Sequence, residues 1–175
     1  MRDAYGREIN YLRISVTDRC NLRCRYCMPA EGVVKKRHQD MLSLEHLLEI
    51  AQAAVALGVR KIRLTGGEPL VRRGVVGLVE ALAQIPEVED LSMTTNGILL
   101  PQFAPALKAA GLKRLNLSLD TLRPERYAAM TRLGSLEDAL AGFHAALAEG
   151  FSPIKVNAVS VSYTHLRAHE TAANL

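Results

Sequence analysis

Cys20, Cys24 and Cys27 are the only three cysteines in the chain, and their Cys-x-x-x-Cys-x-x-Cys spacing commits every thiol to one short loop. Three thiolates leave a closed four-coordinate zinc site one ligand short. They suit a [4Fe-4S] cubane in which three irons take cysteine and the fourth stays open to a small molecule, and an open iron implies chemistry. His38, downstream in the same polar stretch, could complete a zinc site, so that alternative stays open. Three unligated buried cysteines fit poorly, because Arg19, Arg23 and Arg25 interleave with them. Those guanidinium groups are expected to lower thiolate pKa and to offset the charge of a thiolate-bound cluster.

The surrounding residues carry a resemblance. Tyr11 to Pro29 (YLRISVTDRCNLRCRYCMP) resembles the radical S-adenosylmethionine (SAM) superfamily in its cysteine spacing. Its flanks resemble one member family, the GTP 3′,8-cyclases of molybdenum cofactor biosynthesis. Further segments agree: Lys61 to Leu70 (KIRLTGGEPL), Thr94 to Gly97 (TTNG), Leu115 to Asp120 (LNLSLD) and Lys155 to Asn157 (KVN). The similarity runs from about Gly6 to about Val159.

The resemblance implies that Cys20, Cys24 and Cys27 hold a [4Fe-4S] cluster, with SAM contacted by Tyr26, Gly67 and Ser118. Tyr26 is placed to pack on adenine. The paired glycines Gly66 and Gly67 would let backbone approach the ligand, while Pro69 fixes a turn aiming carbonyls and Glu68 at the SAM ammonium; taken alone, the same residues are an ordinary strand-to-helix turn. Ser118 could bond the SAM sugar or carboxylate, or simply form a turn. Contacts to the GTP triphosphate and ribose carry over onto Arg13, Arg63, Thr94 and Lys155, and guanidinium and ammonium groups suit phosphate oxygens. Arg13 and Arg63 alternate with apolar neighbours, so each should project either into a barrel lumen or to solvent. Arg72 and Arg73 are expected to begin a helix as surface or subunit-contact charges.

The implied reaction passes one electron from the reduced cluster to the SAM sulfonium, releasing methionine and a 5′-deoxyadenosyl radical. That radical takes hydrogen from the ribose C3′ of GTP, and the carbon radical adds to C8 of guanine to give 3′,8-cyclo-7,8-dihydro-GTP. The cofactor reacts while the protein positions and excludes water. An electron donor, unidentified from the sequence, is a necessary partner.

These residues need a scaffold. At 175 residues and 49% hydrophobic content the chain can bury one sizeable core. A net charge of +4 favours anionic partners, among which a nucleoside triphosphate fits. With 5% aromatic residues and no Trp, stacking platforms for nucleic acid are not evident. The polar N-terminus lacks the apolar run of a signal peptide and no later stretch suits a membrane span, so a cytoplasmic protein is expected. A reducing compartment also fits free thiols assembled for a metal.

Short β-rich runs alternate with helical patterns, the signature of an α/β fold with a parallel sheet. Strands are expected near 12–17, 59–65, 90–94, 113–119 and 154–159. Ser43 should cap a helix ended by Gly58, and Val75 to Ile85 forms another, closed by Pro86. Pro101 opens a helix that Gly111 stops, and Ser135 opens one running to about Glu149. The whole reads as a partial (βα) barrel of the radical SAM type, incomplete at the C-terminus, with the motifs at the C-terminal ends of the strands. Lys155 is the exception, lying near the start of its strand.

The family continues into a C-terminal domain whose three further cysteines hold a second [4Fe-4S] cluster, and that second cluster is expected to be absent here. Residues 1–159 are expected to form a truncated radical SAM core domain, and 160–175 (SVSYTHLRAHETAANL) a tail outside the family pattern. His165, His169 and Glu170 have helical metal-ligand spacing, more simply read as coincidence. A parallel sheet lacking its last unit exposes an edge around Ile154 to Val159, which predicts a homodimer or poor solubility.

Overall fold

The computed structural model describes residues 2–33 and 41–159. His38 and the 160–175 segment lie outside the described residues, and with them the zinc alternative and the tail. Five strands form one parallel sheet in sequential order: β1 (Tyr11–Ser15), β2 (Lys61–Thr65), β3 (Asp90–Thr95), β4 (Arg114–Ser118) and β5 (Ile154–Asn157). Neighbours in sequence are neighbours in space, as in a barrel, and among the described residues β5 does not pair with β1 to close it.

The connections are α1 (Leu44–Ala56), α2 (Val75–Ala83), α3 (Leu100–Ala109), α4 (Pro124–Thr131) and α5 (Leu136–Ala148). Ser43 caps α1 by accepting from His46 N at 3.2 Å, and Ser135 caps α5 by accepting from Asp138 N at 3.1 Å. Two expectations about the helices are corrected. Arg72 and Arg73 do not begin a helix: Pro69–Val71 is a single 3-10 turn, Gly74 adopts a left-handed φ of 84°, and α2 starts after it. Helix α4, unanticipated, fills the long connection after β4, with Pro124 in its first turn, where a missing N–H costs nothing.

Helices α1, α2, α3 and α5 pack side by side against one sheet face. The register shows why. Ile14, Leu64, Met93, Leu115 and Ile154 stand in one row across all five strands and join the main core. Because side chains alternate between faces, the rows on either side point the other way, and those rows are polar. Arg13, Arg63, Ser92 and Arg114 form one; Thr94, Asn116 and Lys155 form the next, followed by Ser118 and Asn157. A parallel strand covered on both faces reads as continuous hydrophobicity; these strands alternate instead, with one apolar face and one polar face.

Candidate active site

The cysteine loop leaves the C-terminal end of β1 and is held from three directions. Beside it runs the turn after β2: Val16 N donates to Thr65 O, Gly67 N to Thr17 O and Glu68 N to Arg19 O, at 2.9, 2.8 and 2.8 Å. This intimacy demands the glycine pair. A Cβ on Gly66 would lie 2.6 Å from Thr17 O, and one on Gly67 would lie 2.4 Å from Arg19 O. The close approach is therefore to the cysteine loop's own backbone. Gly67 itself is exposed.

From the second side comes the end of α4, whose last carbonyls have no partners within the helix. Met130 O accepts from Arg25 N at 2.9 Å and Thr131 O from Arg23 N at 3.0 Å, so the two bonds bracket Cys24. Arg132, in a left-handed conformation at φ 63°, donates through Nη1 to Arg23 O and Met28 O at 2.8 and 3.0 Å. The third support is Asp120, just past β4. Its Oδ2 accepts from the Tyr26 hydroxyl at 2.6 Å and its Oδ1 from Val159 N at 2.8 Å. Burial, followed by that bond, holds the Tyr26 phenol far above its ordinary pKa. The ring is half-buried at the loop's edge.

Glu68 differs from expectation. It is fully buried, and its oxygens serve the protein: Oε1 accepts from Thr95 Oγ1 at 2.8 Å and Leu70 N at 3.1 Å, and Oε2 from Asn96 N at 2.7 Å. Burial pushes its carboxyl upward while these three donors pull it down. The carboxylate locks the turn after β2 to the turn after β3. Helix α5 presses onto that second turn through Gly142, where a Cβ would meet Gly97 O at 1.9 Å.

The thiols also depart from expectation. Burial raises the pKa of Cys20, and that of Cys24 reaches about 11, with Cys20, Asp120 and Cys27 adding further upward pressure. Arg23 makes the smallest of the contributions to Cys20, a lowering one, and its Nη1 donates at 2.7 Å to the carbonyls of Cys20 and Leu22. Arg19 and Arg25 are exposed. Arg23 thus braces the loop, and desolvation outweighs its field at Cys20.

Does the loop fit a cluster? As placed, no three His, Cys, Asp or Glu side chains among the described residues are gathered closely enough to hold a single ion. The donor chemistry nonetheless fits: three thiols on one loop, and N–H groups already directed at one of the sulfurs. Leu22 N lies 3.3 Å and Asn96 Nδ2 3.9 Å from Cys20 Sγ, the contacts that stabilise thiolate ligands.

The residues expected to meet substrate share the polar sheet face, opposite the row of Ile14, Leu64, Met93, Leu115 and Ile154. Arg13 is in register with Arg63. Asn116 lies between Thr94 and Lys155, which resolves the odd position of Lys155: β5 starts late, so its second residue sits level with the upper part of β3. Arg63 donates through Nε to Ser92 Oγ at 3.4 Å, and its guanidinium stands 5.4 Å over the Tyr11 ring. Ser118 ends β4 on the same face, opposite Asn157. Sequence reasoning passed over Asn116, buried with its Nδ2 unpartnered among the described residues.

Comparison with known proteins follows from this geometry. The family profile described as the Radical SAM superfamily matches residues 14–170. The chain belongs to the radical SAM superfamily.

Among curated relatives, a GTP 3′,8-cyclase of Peptoclostridium acidaminophilum is 58% identical over 159 residues, covering 91% of this chain and 49% of that protein. One from Petrotoga mobilis is 51% identical over 175 residues, covering 100% of this chain and 54% of its own length. The chain thus spans about half the length of the curated relatives it matches. Among solved structures, Streptococcus suis SuiB bound to precursor peptide SuiA superposes with a TM-score of 0.71 at 20% identity, covering 85% of this chain and 32% of that one. Methylornithine synthase superposes with a TM-score of 0.68 at 17% identity, covering 85% and 44%. These likenesses support the α/β partial barrel. No helix among the described residues is long and apolar enough to cross a membrane.

Proposed function

We propose that this chain is the cluster- and SAM-binding portion of a GTP 3′,8-cyclase, the enzyme that converts GTP to 3′,8-cyclo-7,8-dihydro-GTP in the first step of molybdenum cofactor biosynthesis. The observation that carries the reading is the single polar sheet face bearing Arg13, Arg63, Thr94 and Lys155 in two neighbouring rows. The curated relatives named GTP 3′,8-cyclase support it.

Cys20, Cys24 and Cys27 hold a [4Fe-4S] cluster in this reading. When bound, the cluster supplies one electron to SAM. Tyr26, Gly67 and Ser118 border SAM, with the Tyr26 ring oriented by Asp120. Arg13 and Arg63 donate to phosphate oxygens from adjacent strands; Arg63 uses only Nε within the described residues, so its outer nitrogens suit that task. Thr94 offers a hydroxyl to the ribose, and Lys155 an ammonium from the far strand. The second cluster expected of the whole family is not among this chain's cysteines. The further partners are a cellular electron donor and, through the β5 edge, a second copy of the chain, in the cytoplasm; nucleic acid and membrane are not partners in this reading.

A second reading, a fragment that binds a cluster without turnover, draws on the half-length match. Incubating the anaerobically reconstituted chain with SAM, GTP and dithionite separates the readings. GTP-dependent 5′-deoxyadenosine together with a cyclised nucleotide by mass spectrometry supports the cyclase. Deoxyadenosine without the nucleotide product points to another radical SAM reaction, such as peptide or cofactor maturation, and neither product points to the inert fragment.

A further inference from the structure

The turn after β3 contains an amide whose orientation is fixed with unusual completeness. Asn96 Oδ1 accepts from Ile98 N at 3.1 Å, closing an Asx turn. That bond settles which end of the amide is oxygen. The nitrogen then faces the cysteine loop, donating to Asn21 Oδ1 at 2.7 Å and lying 3.9 Å from Cys20 Sγ. The Asn96 backbone N–H is in turn held by the buried Glu68 carboxylate at 2.7 Å, and Thr95 Oγ1 bonds the same carboxylate while accepting from Gly97 N at 3.1 Å. A chain of bonds therefore runs from the turn after β2, through the turn after β3, to a single sulfur.

We infer that Asn96 is a positioning residue that aims an N–H dipole at the Cys20 sulfur and thereby sets the reduction potential of the cluster; the inference rests on the cluster reading above. One-electron reduction adds negative charge that is shared by the ligand sulfurs. A donor pointed at such a sulfur stabilises the reduced form more than the oxidised one. Glu68 holds the Asn96 backbone N–H at 2.7 Å, while the Asn96 side-chain amide reaches the sulfur. Glu68 thus serves as the strut and Asn96 as the contact. Leu22 N, the other donor to Cys20 Sγ, belongs to the backbone of the loop and cannot be altered by substitution without moving the ligands.

The test is a mediator-poised redox titration of the reconstituted 175-residue chain, read by electron paramagnetic resonance, with Asn96→Leu and Asn96→Asp beside the wild type. Asn96→Leu removes the donor. Asn96→Asp keeps the shape and the acceptor for Ile98 N while replacing the donor with negative charge. Both potentials should move below that of the wild type at unchanged iron content, Asn96→Asp further than Asn96→Leu. Pulsed resonance should also show loss of an exchangeable proton coupling in both. Potentials equal to the wild type in variants that hold the cluster overturn the inference alone. So does loss of the cluster in both variants, since a tuning contact is dispensable for ligation. A wild-type chain with no reducible cluster overturns the cluster reading as well.

Discussion

The Tyr26 hydroxyl and the Asp120 carboxylate meet at 2.6 Å, joining the middle of the cysteine loop to the end of β4. Asp120 also accepts from Val159 N at 2.8 Å, so one side chain ties the first functional loop to the last described strand. Asp120→Ala should free both at once. Losing a partly buried hydrogen-bonded carboxylate costs about 1–3 kcal/mol, to be read as a lower urea midpoint at unchanged m-value. A midpoint equal to that of the wild type would show that the bond adds nothing to the fold.

Two glycines should respond oppositely to alanine. At Gly142 a Cβ would collide with Gly97 O at 1.9 Å, whereas at Gly77 in α2 nothing lies within 4 Å. Gly142→Ala should destabilise by about 1–3 kcal/mol through overpacking. Gly77→Ala should stabilise by about 0.5–1 kcal/mol, because alanine loses less backbone entropy in a helix. Thermal melts of the pair check this, and a shift of the same sign in both would refute the packing of α5 on the turn after β3.

The raised thiol pKa values give the cluster-free chain a pH dependence. Cys24 binds its proton more tightly folded than unfolded, with a folded value of about 11 against an ordinary 9.0. Its contribution to stability is complete below pH 9 and lost as pH rises toward 11. Alkylation of Cys24 by iodoacetamide, followed by peptide mass spectrometry, should accelerate up to about pH 11; a plateau by pH 9 would contradict the burial of this thiol.

Arg63 tests the polar face. Arg63→Ala should weaken GTP binding by about tenfold or more, the worth of a charge-assisted hydrogen bond of about 1.5–3 kcal/mol, without changing SAM binding. Isothermal titration with each ligand separates the two effects. An equal loss for both ligands would mean that Arg63 supports the fold instead of a phosphate.

The open side of β5 makes a further demand. Val156 and Val159 are 49% and 38% exposed beside a strand paired, among the described residues, only with β4. Val156→Lys should shift the chain toward monomer in sedimentation velocity, since a charge on an edge strand discourages pairing. A wild-type chain already monomeric at high concentration would remove the second copy from the list of partners.

Sequence carried the architecture where the signal was local. Ser43 and Ser135 announce their helices because a cap is a bond to a residue three positions away. The alternation of Leu12, Arg13, Ile14 and Ser15 marks a two-faced strand, although which face would meet helices emerges only when five strands stand in register. Helix α4 escaped notice because it is only eight residues long and its buried side is confined to Tyr127, Met130 and Thr131, too few for a clear period. The internal role of Glu68 escaped notice for a related reason. A glutamate in a glycine-rich turn belongs at the surface by composition, and its donors at Thr95 and Asn96 come from the next βα unit. The same non-locality hid Arg132, Asp120 and the Asn96 contact to Cys20.

In the proposed function Cys20, Cys24 and Cys27 hold a [4Fe-4S] cluster with one iron open to SAM. Anaerobic reconstitution with iron and sulfide, followed by iron and zinc analysis and electron paramagnetic resonance of the reduced chain with and without SAM, tests it most directly. About four irons per chain and a signal that changes when SAM is added are the expected result. Retained zinc, or a cluster signal indifferent to SAM, would contradict it.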